Sequence, residues 1–297
     1  MLHVGTLGAR RFTEDEVRLL QIVADRVGFA VQSRRIAIER AAATVLQRSL
    51  LPARLPMVAG LEMAARYVSA ERGGVGGDWY DVFVLPCGRL CVVIGDVVGR
   101  GLAAAEVMGR LRSALRAHAL FSSDPAEVLH RLDQQVQHFD PHKLLATVQL
   151  AMFEPSLERM QLSSAGHLPP VLALPGQPAA LVDAQGDRPL GVPSKRRRRM
   201  TTVEVPPGAV ICFYTDGLVE RRRILLDVGL ELLCKVVVAG PVESVLTNVM
   251  GQLIGNNAPG DDIAVLALRR HHNGEIGARS GIRSTDDRPA TQSNPGT

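Results

Sequence analysis

Two hydrophobic periods divide the chain. From position 13 the apolar residues recur at helical spacing: Val17, Ala24, Val31, Ile38 and Val45 fall every seven residues, and Leu20 and Val27 fill the other seam position. Arg34 and Arg48 interrupt that second row, so the heptad frays after Val27. Thr13-Glu14-Asp15-Glu16 has the form of a capping box, in which the Thr13 and Glu16 side chains satisfy each other's orphan backbone N–H groups, and Pro52 stops the run. The pattern predicts one long helix over 13–52. Its apolar stripe suits either packing on its own domain or a parallel homodimer that transmits a signal.

Beyond position 60 the period shortens. Strand-like runs fall at 61–67, 79–85, 90–97, 144–153, 160–164, 171–174, 203–205, 209–215 and 263–268, and helical runs at 102–120, 125–139 and 242–254. Asp124 or Ser123 caps the second of these helices, with Pro125 in its first turn. Glu154-Pro155-Ser156 joins two strand runs with no room for a helix, which indicates an antiparallel hairpin. Strands punctuated by a helical pair, without strict alternation, predict an α+β domain over 53–270 in which antiparallel sheet is covered by helices. The segment 271–297 is polar, rich in Gly, Pro, Ser and Asp, and reads as a disordered tail.

Composition narrows the class. Of 297 residues, 46% are hydrophobic and 22% charged, which suits a globular core and excludes collagen-like and disulfide-scaffold chains. The four cysteines form no C-x-x-C pair, and Cys91 and Cys212 lie in apolar strand runs, so they read as small buried hydrophobes. No uncharged apolar run reaches membrane-spanning length and no secretory leader opens the chain, which predicts a cytoplasmic protein without membrane contact. The net charge of +4 is concentrated in Lys195-Arg196-Arg197-Arg198-Arg199 and Arg221-Arg222-Arg223. Neither run contains an aromatic residue or sits in a groove-entering motif, so both read as solvated loops and no nucleic-acid partner is expected.

The chemistry lies in carboxylates. The G-x-S-x-G, G-x-x-x-x-G-K-[ST] and H-E-x-x-H patterns are absent. Gly99-Arg100-Gly101-Leu102-Ala103-Ala104 imitates a dinucleotide loop, but Asp96 occupies the strand end where a pyrophosphate would bind, and a second helix follows instead of a return strand. In contrast, Gly76-Gly77-Asp78, Ile94-Gly95-Asp96, Tyr214-Thr215-Asp216-Gly217 and Gly260-Asp261-Asp262 each set an aspartate at the end of a β-run beside glycine. If these ends converge, unpaired carboxylates repel one another and raise each other's pKa unless hard cations neutralise them. An oxygen-only site suits two Mn²⁺ or Mg²⁺ ions, which can activate a shared water for in-line attack on a phosphoryl group without a covalent intermediate.

These motifs also carry a resemblance. Leu46-Gln47-Arg48-Ser49-Leu50-Leu51-Pro52, Gly76-Gly77-Asp78-Trp79-Tyr80-Asp81, Ile94-Gly95-Asp96-Val97, Ser164-Ala165-Gly166-His167, Pro189-Leu190-Gly191-Val192, Tyr214-Thr215-Asp216-Gly217-Leu218-Val219-Glu220 and Asp261-Asp262-Ile263-Ala264 stand in that order, and together they resemble the stage II sporulation protein E family. These are bacterial PPM-type serine/threonine phosphatases similar to protein phosphatase 2C. The resemblance implies a two-sheet antiparallel β-sandwich flanked by helices. It also implies two Mn²⁺ or Mg²⁺ ions, and hydrolysis of phosphoserine or phosphothreonine on a STAS-type anti-sigma-factor antagonist in a partner-switching pathway. Carried over by position, the metal and catalytic aspartates are Asp78, Asp96, Asp216 and Asp261, with the Val97 carbonyl as an extra ligand. Asp262 and His167 are less certain members, and Asp81 is structural. Relatives often place His where this chain has Arg100, which makes Arg100 a candidate contact for the substrate phosphate. A second reading of the same residues is a catalytically silent regulatory module that binds a phosphoprotein. Residues 1–12, through Leu2-His3-Val4-Gly5-Thr6-Leu7, resemble the final strand of a GAF sensory domain whose ligand pocket is not expected in this chain.

Overall fold

The computed structural model describes residues 5, 8, 10–70, 76–139, 144–184, 186–194, 196–220, 225–255 and 260–271. The GAF-like stretch 2–4 and 6–7, Lys195, Arg221-Arg222-Arg223 and the tail from 272 lie outside them.

The first element is the expected long helix, α1 (Glu14–Leu50). Its capping box forms: the Thr13 backbone N–H donates to Glu16 Oε2 at 2.9 Å, and the Glu16 N–H donates to Thr13 Oγ1 at 3.3 Å. Among the described residues ten strands and four further α-helices follow: β1 (Leu61–Val68), β2 (Trp79–Val84), β3 (Leu90–Val97), α2 (Leu102–Ala119), α3 (Pro125–Phe139), β4 (Ala146–Phe153), β5 (Arg159–Ala165), β6 (Val171–Ala173), β7 (Ala180–Leu181), β8 (Thr201–Glu204), β9 (Val210–Tyr214), α4 (Leu226–Val236), α5 (Val242–Leu253) and β10 (Ile263–Arg270). Asp124 Oδ1 accepts the Ala126 N–H at 2.8 Å and opens α3, as its sequence signature implies.

The strands form two five-stranded antiparallel sheets, ordered β1-β10-β9-β6-β7 and β2-β3-β4-β5-β8. Both faces of the central strands are buried, which is why they read as near-continuous apolar runs. Along β3, Leu90, Val92 and Ile94 enter the gap between the sheets, where they join Phe153, Phe213 and Leu266. Cys91 and Val93 point outward under Met108, Leu111, Leu115 and Leu129 of α2 and α3. On the opposite outer face, Val210, Cys212 and Val265 pack beneath Leu233 of α4 and Val245 and Leu246 of α5. The result is the expected α+β sandwich of two sheets between two helical layers. Within it Cys91 and Cys212 are buried and unpaired, as their apolar setting predicts.

Asp81 has the structural role expected of it. Its buried carboxylate takes Arg116 Nε at 2.6 Å and Arg112 Nε at 3.0 Å, which ties α2 to β2. Arg116 also lies 4.8 Å over the Phe83 ring. Among the described residues, the C-terminal end of α1 rests on this layer, with Leu46 against Ala105 and Leu50 against Gly109. Farther up the helix, Val31, Ile38 and Val45 are 63%, 61% and 69% exposed, so packing on its own domain accounts for the last turns alone.

Four sequence readings need correction. Helix α4 was not expected: no side chain caps its N-terminus and Gly229 interrupts it, yet that glycine lets the helix press on the 3₁₀ turn that follows β9, since a Cβ there would lie 2.1 Å from the Val219 carbonyl oxygen. The two-residue strand β7 was also missed, and the strand read at 203–205 begins at Thr201 because its register is set by β5. The arginine run is not wholly a solvated loop. Arg198 is buried and donates to Asp133 Oδ2 at 2.8 Å and to the Arg188 carbonyl at 2.9 Å, while Asp133 also takes Arg188 at 3.3 Å and the Gly191 N–H at 3.0 Å.

Removing one partner of such a pair strands the other charge in the interior. Asp133→Ala is therefore expected to lower the unfolding free energy in urea by about 3–5 kcal/mol, whereas the exposed neighbour Arg196→Ala shifts it by less than about 0.5 kcal/mol. Equal effects from the two would contradict the assignment.

Candidate functional site

The carboxylates predicted from strand ends converge where the two sheets meet. Asp78 immediately precedes β2 and Asp96 is the penultimate residue of β3, both in one sheet. Asp216 follows β9 and begins a 3₁₀ turn, and Asp261 lies two residues before β10, in the other sheet. One carboxylate oxygen from each of Asp78, Asp96 and Asp216 lies within 4.8 Å of the others. Asp261 stands outside that trio but close enough for its charge to act on both Asp96 and Asp216.

The local sequence explains how three acids fit at this point. Gly77 is required by contact: a Cβ there would fall 1.9 Å from the Val97 carbonyl oxygen and 2.6 Å from Asp96 Oδ1, so the chain before Asp78 lies directly on the end of β3. The same approach lets the Val97 N–H donate to the Gly77 carbonyl at 3.1 Å and leaves the Val97 carbonyl beside the carboxylates, where the resemblance put an extra ligand. Thr215, unnoticed in the sequence, donates its hydroxyl to Asp78 Oδ2 at 2.6 Å and accepts the Ala264 N–H at 2.9 Å, joining the sheets through the acid itself. The signal was the threonine directly before Asp216, but its partner is 137 positions away.

The electrostatics are those of an uncompensated anionic cluster. Burial, then the Asp96 charge, raises Asp78 well above the usual carboxylate range, against the pull of the Thr215 hydrogen bond. Burial and the Asp216 charge raise Asp96 to about 6. Burial and Asp261 raise Asp216.

The remaining candidates separate. Asp262 is buried and already occupied: Tyr67 Oη donates to its Oδ2 at 2.8 Å, and the Ala70 N–H and Ser69 Oγ donate to its Oδ1 at 2.8 and 3.3 Å, so it fastens the end of β1 while its charge still acts on Asp78 and Asp96. Its own N–H donates to Asp261 Oδ1 at 2.9 Å. His167 is buried, with Nδ1 2.8 Å from Thr147 Oγ1 and Nε2 3.0 Å from the Tyr214 carbonyl oxygen; burial drives its pKa down to about 4. It bonds none of the carboxylates. Arg100 is exposed between Gly99 (φ 119°) and Gly101 (φ 80°), four residues past Asp96 on the turn into α2.

The donor set is oxygen-only, preformed and mutually repulsive, which fits hard divalent cations. Among the described residues no helix is long and apolar enough to cross a membrane.

Comparison with known proteins agrees with this fold. The chain is 24% identical over 312 residues to Protein IcfG of Synechocystis, covering 90% of this chain and 46% of that protein. It is 24% identical over 231 residues to Phosphoserine phosphatase RsbU of Bacillus subtilis, covering 76% of this chain and 68% of the relative. It thus spans about half of the first relative and two thirds of the second. The crystal structure of the RsbU and RsbW domains of Rv1364c from Mycobacterium tuberculosis superposes with a TM-score of 0.65 at 32% identity, over 73% of this chain and 62% of that one. A likeness of fold extends to the catalytic domain of the serine/threonine phosphatase PstP in complex with two manganese ions, with a TM-score of 0.52 at 18% identity, over 71% and 99% of the two chains. Residues 86–271 match the family described as Stage II sporulation protein E (SpoIIE), and with more than half of its length inside that match, the chain belongs to the SpoIIE family.

Proposed function

We propose that this protein is a metal-dependent protein-serine/threonine phosphatase. The observation that carries the reading is the trio of Asp78, Asp96 and Asp216, within 4.8 Å of one another at the joint of two sheets in a SpoIIE-family chain. Asp78, Asp96 and Asp216, with Asp261 and the Val97 carbonyl at the rim, would hold two Mn²⁺ or Mg²⁺ ions. Bound there, such ions supply Lewis acidity toward a phosphate ester and toward water. The chain does the rest. Thr215 fixes the rotamer of Asp78, and Gly77 brings the strand ends together. Arg100, permanently charged on an exposed turn, offers a bidentate contact to the substrate phosphate and cannot serve as a proton donor. His167 is occupied at both nitrogens and is not a general acid.

Kinship with Phosphoserine phosphatase RsbU supports a phosphoserine substrate, and the ordered family motifs support a STAS-type anti-sigma-factor antagonist as its carrier. The exposed Val31, Ile38 and Val45, one heptad apart on α1, support self-association of that helix.

Three outcomes test this reading. Turnover of a phosphorylated antagonist is expected with Mn²⁺, with loss in EDTA and a fall of at least about a hundredfold for Asp96→Asn; a chain that binds the phosphoprotein tightly without turnover would instead be a silent regulatory module. The second concerns stability. Because folding raises the Asp96 pKa to about 6, its contribution to the metal-free fold is present at low pH and lost as pH rises through 6. In EDTA at pH 7.5, Asp96→Asn should therefore melt about 2–6 °C above the native chain. The gap should narrow as pH falls through 6 and close only below about pH 4, where the unfolded carboxyl also protonates, and it should reverse with Mn²⁺ at pH 7.5; an unchanged or lower melting point in EDTA at pH 7.5 would contradict the cluster's repulsion. Third, sedimentation should show a dimer that Val31→Glu with Ile38→Glu converts to monomer, and a native chain that is monomeric at micromolar concentration would remove the helix from the proposal.

A further inference from the structure

His167 spans the two sheets. Thr147, on one side of its ring, belongs to β4, and Tyr214, on the other, belongs to β9. A backbone carbonyl can only accept, so Nε2 carries the hydrogen and donates to Tyr214 O, while Nδ1 accepts from the Thr147 hydroxyl. Both partners stand beside a carboxylate of the cluster. Thr147 is the cross-strand partner of Asp96, and Tyr214 precedes Asp216 by two residues.

The loop that carries the imidazole is fixed on every side. Ser164 Oγ donates to the His167 carbonyl at 2.9 Å and accepts the His167 N–H at 3.1 Å. Gln149 Nε2 donates to the Leu168 carbonyl at 3.2 Å, and Tyr214 Oη donates to the Pro169 carbonyl at 2.9 Å. Gly166 (φ 75°) closes the turn against Pro189, which a Cβ would meet at 2.6 Å. Two short bonds through a rigid ring thus connect the strand bearing Asp96's neighbour to the strand leading into Asp216.

We infer that His167 is a positioning residue for the divalent-cation site: a neutral imidazole strut that sets the distance between Asp96 and Asp216 across the gap between the sheets. The inference rests on the reading of the aspartate cluster as that site. The repelling carboxylates favour separation of the two sheet ends, and the strut opposes it. Without it the donor oxygens lose the spacing that coordination demands, although the chain retains every ligand.

Calorimetric titration with Mn²⁺ alone, together with thermal unfolding in EDTA, tests this on the full chain. His167→Gln carries an amide N–H to about the Nε2 position and keeps the bond to Tyr214 but offers Thr147 no acceptor, whereas His167→Asn keeps an acceptor near the Nδ1 position but is too short to reach Tyr214. Each variant breaks the link at one end or both, so Mn²⁺ affinity should fall about tenfold or more for His167→Gln, His167→Asn and His167→Ala alike. Leu162→Ala, a cavity in the core between the sheets, should lower the melting point at least as much while leaving Mn²⁺ affinity unchanged. Native-like affinity in His167→Gln or His167→Asn, or equal weakening by Leu162→Ala, would overturn the strut. A native chain that takes up no Mn²⁺ would overturn the cluster reading itself, so the two failures are distinguishable.

Discussion

The structure is organised around an unfavourable contact, the mutual repulsion of carboxylates at the edge where two sheets meet. A fold tolerates like charges at this range when the surrounding packing is stiff enough to hold them. Here the stiffness comes from two strands of each sheet, locked in antiparallel register and buried on both faces. The Thr215 hydroxyl and the His167 ring then fasten one sheet to the other within a few residues of the acids. Stability is surrendered locally so that the oxygens stand ready before any ion arrives, which is the usual relation between a preorganised site and its scaffold.

What could be read from the sequence follows from how local each signal was. The aspartates of the site were legible because each ends an apolar run beside glycine, and strand ends are where a sheet can gather side chains from distant positions. Asp261 and Asp262 could not be told apart in that way. Adjacent residues on an extended chain face opposite directions. Asp262 was drawn into the interior by Tyr67 of β1 and by Ser69 and Ala70 just beyond it, nearly two hundred positions earlier, while Asp261 stayed exposed at the rim.

The same limit explains the other departures. Helix α4 has no side-chain cap, and its glycine serves a close approach to Val219 rather than helix propensity. The role of His167 was invisible because one of its two partners is a main-chain carbonyl, and main-chain atoms leave no trace in residue identity. A core and its layers are written in hydrophobic period; the links between layers are written in pairs whose members are far apart.

The burial of Arg198 has a practical corollary for anyone probing the basic segment 195–199. Its neighbours Arg196, Arg197 and Arg199 are exposed, while Arg198 anchors the loop to α3 through Asp133. Neutralising the whole run at once would mix loss of an electrostatic surface with collapse of the segment that displays it, and a vanished interaction would be uninterpretable. Charge reversal confined to the three outward positions keeps the scaffold and isolates the field.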